Sequence, residues 1–461
     1  MPRSTLPLLA LALLALACDP PAKKNPPTQT NGTTAAPAAG STGATAAQAT
    51  AGGVPTSLSS PSGPAQDTDA GKELAALLER KKWLEERIAS EGHKAWRDDQ
   101  ELAQNAMKRA SLLGDWSLYA EAEKALEGSF AKAAKKGGPH EVRASLELTL
   151  HRLEPAEASA KAILGGVIVQ AESRSRAEQI LGSVALQRGD LTAAREHFNT
   201  AHQVAPSSGT LLLLSDLVFK TGQADKARAL IDEALTKTSA RNPFEQATVL
   251  LRRGIIELET NHIDEARAYF EKANAAYSGW YLIEEHLAEV TALQGKNDEA
   301  RAMYADIVRR TQRGEFMSAL ADALEEAGEA DEAKAWRDLA AKAFARDMKA
   351  YPQAAWGHAL DFFLEHDTPE RALEIASENA RARPWCEAKL GLAEALVLSE
   401  KLDEAQALVD GCLASDWETP GLRVTAAGVY KAKGDLETAR THAARAEELA
   451  EGSAEELGLS E

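Results

Sequence analysis

Eight alanines recur along the chain, at Ala194, Ala227, Ala266, Ala300, Ala333, Ala372, Ala405 and Ala439. The steps between them are 33, 39, 34, 33, 39, 33 and 34 residues. A period of this length marks a supersecondary unit that cannot bury its apolar face alone and must stack on copies of itself. The chain is therefore expected to build a long stack and not to close one globular core. Two units carry about five extra residues, near 241–246 and 347–352, enough to add more than a helical turn or to widen a loop, so curvature should change there.

The clearest copy reads Leu181-Gly182, Gly189-Asp190, Ala194, Phe198, Ala201, Pro206. A glycine at 182 lets two helices cross closely, and Gly189-Asp190 turns the chain and opens a second helix. Ala194 and Ala201 leave room where helices touch, Phe198 fills the gap to the next unit, and Pro206 stops the helix. Turn glycines at Gly222, Gly295, Gly328 and Gly434-Asp435 repeat the punctuation. Second helices open alike, as Asp264-Glu265-Ala266, Asp298-Glu299-Ala300, Asp331-Glu332-Ala333 and Asp403-Glu404-Ala405, placing acids where helical amides lack partners. The small first-helix position is Gly182 and Gly254, then Ser215, Ala288, Ala321, Ala393 and Ala427, with Leu360 the misfit.

This pattern resembles the tetratricopeptide repeat. The resemblance implies an all-α fold, a right-handed α-solenoid of stacked helical hairpins, with about eight repeats over residues 175–453 and a tail at 454–461. Residues 71–174 read as a capping helix and one or two degenerate repeats. Leu74, Leu77, Leu78, Leu84 and Ile88 recur at helical spacing, as do Leu102, Ala106, Met107 and Ala110. Gly114-Asp115 followed by Tyr119, Ala122, Leu126 and Phe130 resembles a diverged copy.

The N-terminus addresses location. Arg3 precedes an apolar run from Leu6 to Ala17, too short for a permanent membrane span, which ends in Leu14-Ala15-Leu16-Ala17-Cys18. The run resembles a bacterial lipoprotein signal at 1–17, with Cys18 the lipidated residue; an ordinary secretion signal cut after Ala17 is the alternative. Asp19 leaves the choice between inner and outer membrane open. Residues 18–70 read as a disordered tether, since Asn25 to Gln66 holds no charged residue and little to bury. A coil of about 50 residues reaches about 35–45 Å.

Lys and Arg number 52 against 70 Asp and Glu, a formal charge of -18. No basic stripe exists for nucleic acid, and contact with anionic lipid must come from an anchor. Besides Cys18 the cysteines are Cys386 and Cys412. The repeat register puts them on neighbouring antiparallel helices, close enough for a disulfide in an oxidising compartment; two small buried thiols are the alternative.

In the repeat family the first helices line the concave face. Carried onto this register, that face presents Gln179 and Ser183, Asp216 and Lys220, Arg252 and Glu259, Glu285 and Glu289, Asp361, and Glu394. Acids outnumber bases there, so a basic or amide-rich protein segment is the expected partner. No zinc-binding His pair, phosphate loop or nucleophile elbow occurs, and no cofactor, metal or catalytic residue is expected from the motifs. His286 and Glu289 are spaced to interact along one helix. The reading is a tethered envelope scaffold or adaptor; the alternative class is an envelope enzyme or small-ligand receptor on the same scaffold.

Overall fold

The computed structural model describes residues 54–134 and 137–459. Twenty-one α-helices follow one another among these residues. The first five are α1 (Asp69–Ile88), α2 (Trp96–Leu113), α3 (Leu118–Lys132), α4 (His140–Thr149) and α5 (Leu153–Leu164). Next come α6 (Ala171–Gln187), α7 (Leu191–Val204), α8 (Ser208–Lys220), α9 (Ala224–Lys237), α10 (Pro243–Glu259) and α11 (Ile263–Ala276). Then follow α12 (Tyr281–Leu293), α13 (Asn297–Thr311), α14 (Gly314–Glu326), α15 (Ala330–Ala350) and α16 (Pro352–His366). The chain closes with α17 (Pro369–Ala382), α18 (Cys386–Leu398), α19 (Leu402–Leu413), α20 (Pro420–Ala432) and α21 (Leu436–Leu449). Helices pair in order from α2·α3 to α20·α21, and each hairpin stacks on the next. The fold is the expected all-α solenoid, with α1 leading and two hairpins ahead of the eight read from the alanine period.

All eight marker alanines have no solvent exposure, as does Ala201. A Cβ at Gly182 would overlap the ring of Phe198, and one at Gly254 would overlap Phe270, so each glycine receives the aromatic ring of its own hairpin. Asp190 caps α7 by accepting from the Ala193 amide at 2.9 Å. Leu360 is accommodated from outside its hairpin: its Cδ2 occupies the space that a Cβ at Gly391 of α18 would need. The extra residues near 241–246 fall in the turn before α10 and in that helix, which has 17 residues against 13 in α8. Those near 347–352 lengthen α15 to 21 residues against 15 in α13.

Successive turns of the solenoid touch. Gly114, just after α2, lies against Thr311 and Arg313 before α14. His151, after α4, lies in the field of Arg383 and of His358 on α16. Gly189, after α6, has a positive φ of 80°, and a Cβ there would stand 3.1 Å from the Pro384 carbonyl before α18. The Glu418 amide, before α20, donates to the Lys220 carbonyl at the end of α8 at 2.8 Å. Asn261, after α10, donates to the Glu451 carbonyl beyond α21 at 2.6 Å. The contacts join elements eleven or twelve helices apart, so about six hairpins complete a turn and the second turn rests on the first.

Composition assigns residues 54–68 to the tether, but the structure docks them on the wall. The Gly63 amide donates to the Arg310 carbonyl at 3.2 Å, and Val54 and Leu58 pack against the largest apolar cluster. The reason is local: two aliphatic side chains find apolar neighbours, and the Ser59 amide and Ser62 hydroxyl add hydrogen bonds to Gln312 Oε1 and the Arg309 carbonyl. The signal at 1–17, Cys18 and the tether up to residue 53 lie outside the described residues. None of the described helices is long and apolar enough to cross a membrane.

Candidate functional site: an acidic cleft on three first helices

Three neighbouring first helices, α12, α14 and α16, present acids to one cavity of about 150 Å³. Helical spacing places Glu285 and Glu289 on the inward stripe of α12, Glu315 and Asp322 on that of α14, and Asp361 and Glu365 on that of α16. Tyr304, Phe316, Phe344 and Phe362 form its apolar walls, and His358 is the lining imidazole. No lysine or arginine lines the cavity among the described residues.

The electrostatics follow from that crowding. Burial pushes the Glu285 carboxyl up to about 8; His286 opposes the shift, while Glu289 and Glu315 add to it. Burial likewise lifts Asp361 to about 7, with Glu394 and Glu365 contributing. His286 gains affinity for its proton, because Glu285 and Glu289 outweigh its burial. Its Nδ1 lies 3.0 Å from Glu289 Oε2 and its Nε2 3.2 Å from Glu285 Oε1, and its ring stacks on Phe270 at 5.0 Å. Glu315 resists its burial because Arg313 pairs with it and His358 lies nearby, holding its carboxyl below the usual value. Burial brings His358 down to about 4. Two buried oxygens, Glu285 Oε1 and Glu315 Oε2, accept no hydrogen bond.

The turn between α2 and α3 touches residues at this site. Trp116, between α2 and α3, receives the Arg313 guanidinium on its ring at 4.1 Å and meets His358 edge-on at 5.5 Å. A degenerate repeat that carries no contact residue of its own in the sequence reading therefore touches one lining side chain, His358, and the arginine that pairs with another, Glu315.

The face read from the register divides into three groups. Glu285, Glu289 and Asp361 line the cleft together. Asp216 and Arg252 are buried and paired with each other across α8 and α10, and Lys220 is buried against Glu387 of the next turn. Gln179 and Glu394 lie away from the cleft, Gln179 donating to Ser175 Oγ at 3.2 Å and Glu394 accepting from Thr425 Oγ1 at 2.9 Å. Glu315, Asp322, His358 and Glu365 join the site without having been singled out. Asp322 was within reach of the register, since it follows Ala321 as Glu289 follows Ala288. The tryptophans at 280, 385 and 417 are buried and seal adjacent units. Cys386 and Cys412 are joined across α18 and α19, with Cα atoms 5.6 Å apart.

The tetratricopeptide repeat family profile matches residues 185–241, which run from the end of α6 to the turn before α10. That segment is tetratricopeptide repeat. No curated protein matches the chain. Among solved structures, a tetratricopeptide repeat protein from Parabacteroides merdae is 17% identical over 55% of this chain and 98% of its own, with a TM-score of 0.34. PilW, a type IV pilus biogenesis factor, is 17% identical over 46% of this chain and 94% of its own, at 0.35. The Pseudomonas aeruginosa pilF structure is 17% identical over 49% and 96%, at 0.34.

Proposed function

We propose that this chain is a lipid-anchored scaffold of the bacterial cell envelope that holds a basic segment of a protein partner in its acidic first-helix cleft. One observation carries the reading: six carboxyl groups from three successive hairpins converge on a cavity that no lysine or arginine lines among the described residues. Such a site attracts cations from a distance and rejects anionic segments, which gives selectivity as well as encounter rate. Aromatic walls beside the acids suit a side chain with an aliphatic stem and a charged tip. Anchoring rests on the Leu14-Ala15-Leu16-Ala17-Cys18 run and the uncharged stretch after it, which would let the repeats reach partners above a membrane.

The test is fluorescence anisotropy of the full chain with labelled peptides of matched length, one carrying lysine and arginine, one carrying aspartate and glutamate. The basic peptide should bind, with affinity falling as salt rises, and Asp361→Asn with Glu365→Gln should weaken it about tenfold, the equivalent of about 1.4 kcal/mol. Equal affinity for the acidic peptide, or unchanged binding by the variant, overturns the cleft as the contact. For the anchor, Cys18→Ser should move the protein from the membrane to the soluble fraction; continued membrane retention rejects lipidation.

A further inference from the structure

Beneath the rim of the cleft, α12 presents Glu285-His286-Leu287-Ala288-Glu289. One imidazole nitrogen and one oxygen of each carboxylate lie within 4.8 Å of one another, and no ion is present. The three residues span about 100° of the helix surface, so all of them reach one side. We propose that this cluster binds a divalent first-row metal ion, with Glu315 of α14 available from the facing wall.

Two features point to a ligand. The first is an unfilled acceptor. Glu285 is 3% exposed, lines the cavity, and its Oε1 accepts no hydrogen bond despite His286 Nε2 at 3.2 Å. A buried carboxylate oxygen without a donor is costly, and a cation supplied from the cavity would satisfy it. The second is rigidity. His286 is 4% exposed and its ring is fixed by stacking on Phe270, so one nitrogen donor is already oriented.

A mixed set of one imidazole and carboxylates suits zinc or manganese, whereas calcium and magnesium prefer oxygen alone. The His-x-x-Glu and Glu-x-x-x-Glu spacings put both pairs on one helical face, the arrangement from which helical metal sites are commonly built. The site lies deeper than Asp322 and Glu365, which leaves the rim for the partner segment proposed above. The inference goes beyond that reading, and the two can fail separately.

The experiment uses the full chain, stripped with chelator and dialysed. Zinc and manganese are titrated calorimetrically in the absence of any peptide, with calcium as the control, and bound metal is counted by mass spectrometry. One zinc or manganese ion should be retained per chain, with calcium much weaker. His286→Gln and Glu289→Gln should each weaken the ion by about tenfold or more, while Glu365→Gln at the rim should leave it unchanged. Far-UV circular dichroism separates loss of the site from loss of the fold, and Glu289→Gln stands as the milder variant should His286→Gln unfold. No retained ion, or retention equal in both variants and the wild type, overturns the site. Peptide binding measured in chelator tests the partner reading on its own.

Discussion

Replacing Lys220 by Met tests whether one turn of the solenoid truly rests on the next. Lys220 ends α8, Glu387 opens α18, and the two are ion-paired while only 4% and 7% exposed. Each charge sits at the favourable end of its own helix dipole. Methionine would fill the space of the aliphatic stem but leave the Glu387 carboxylate buried without its cation. Losing one partner of such a pair costs about 3–5 kcal/mol. The carboxyl has an escape, because burial already pushes it up even beside Lys220, and in the variant it can take a proton. From an ordinary value of 4.5, protonation at pH 7 costs about 3.4 kcal/mol, which caps the loss. At pH 5 the same step costs about 0.7 kcal/mol. Lys220→Met should therefore destabilise by about 3 kcal/mol at pH 7 and by about 1 kcal/mol at pH 5. The double variant with Glu387→Leu should recover most of the loss, since apolar replacement of a buried pair is close to neutral. Urea unfolding followed by tryptophan fluorescence and circular dichroism, with each single and the double variant, gives the coupling energy. A loss at pH 7 below about 1 kcal/mol, with no pH dependence, would refute the contact between turns.

Gly182→Ala should destabilise by about 1–3 kcal/mol, because its Cβ has to displace the buried Phe198 ring; an unchanged urea midpoint would show that the hairpin crossing is looser than described. Ala194→Leu should cost a similar amount, about 1–3 kcal/mol, at a position with no solvent exposure. The cleft carboxyls set a pH dependence: Glu285 rises from 4.5 to about 8 and Asp361 from 3.8 to about 7, so the folded chain holds more protons than the unfolded chain in that window. Stability should then fall as pH rises from about 5 to 8, by at most about 1.4 kcal/mol per pH unit for each group, and Glu285→Gln should flatten the slope; thermal melts across that range that show no difference from wild type would contradict it. Thiol titration of the unfolded Cys18→Ser protein should find no free thiol before reduction and two after it, and two reactive thiols without reductant would rule out the Cys386–Cys412 bridge.

The hairpins and their order were legible in the sequence because each depends on residues close in the chain. Ala194 against Phe198, Gly182 at the crossing and Asp190 at the cap are local choices, and each agrees with the others. Even the two long units could be located, although only the structure shows that one lengthens a loop and α10 while the other lengthens α15. Leu360 looked like a misfit because the space it fills belongs to Gly391, on the next hairpin. The same limitation governs the functional face. Register alone gives Glu285, Asp216 and Lys220 equivalent standing as inward-facing first-helix positions. What separates them is the number of hairpins per turn, which brings α18 and α20 onto the end of α8 and buries Lys220, while α14 and α16 leave the space before Glu285 open.

That turn number also explains why the acids gather where they do. A solenoid whose turns stand apart exposes its first-helix face evenly, and its stability is a sum over neighbouring hairpins. Here the second turn lies on the first, so inward charges near the seam must be paired, as Lys220 is with Glu387, or excluded. Between α12 and α16 the wall stays open and acids outnumber their cationic partners: Glu315 holds Arg313, Asp322 meets Arg337, and Glu285 and Glu289 share His286. Burial there raises the affinity for protons at Glu285 and Asp361. Trp116 supports the border of that opening, because its ring holds the Arg313 guanidinium that pairs with Glu315 and meets His358 edge-on. Six carboxyl groups gathered around one opening with fewer cationic partners than acids are the arrangement expected of a surface built to receive a cation.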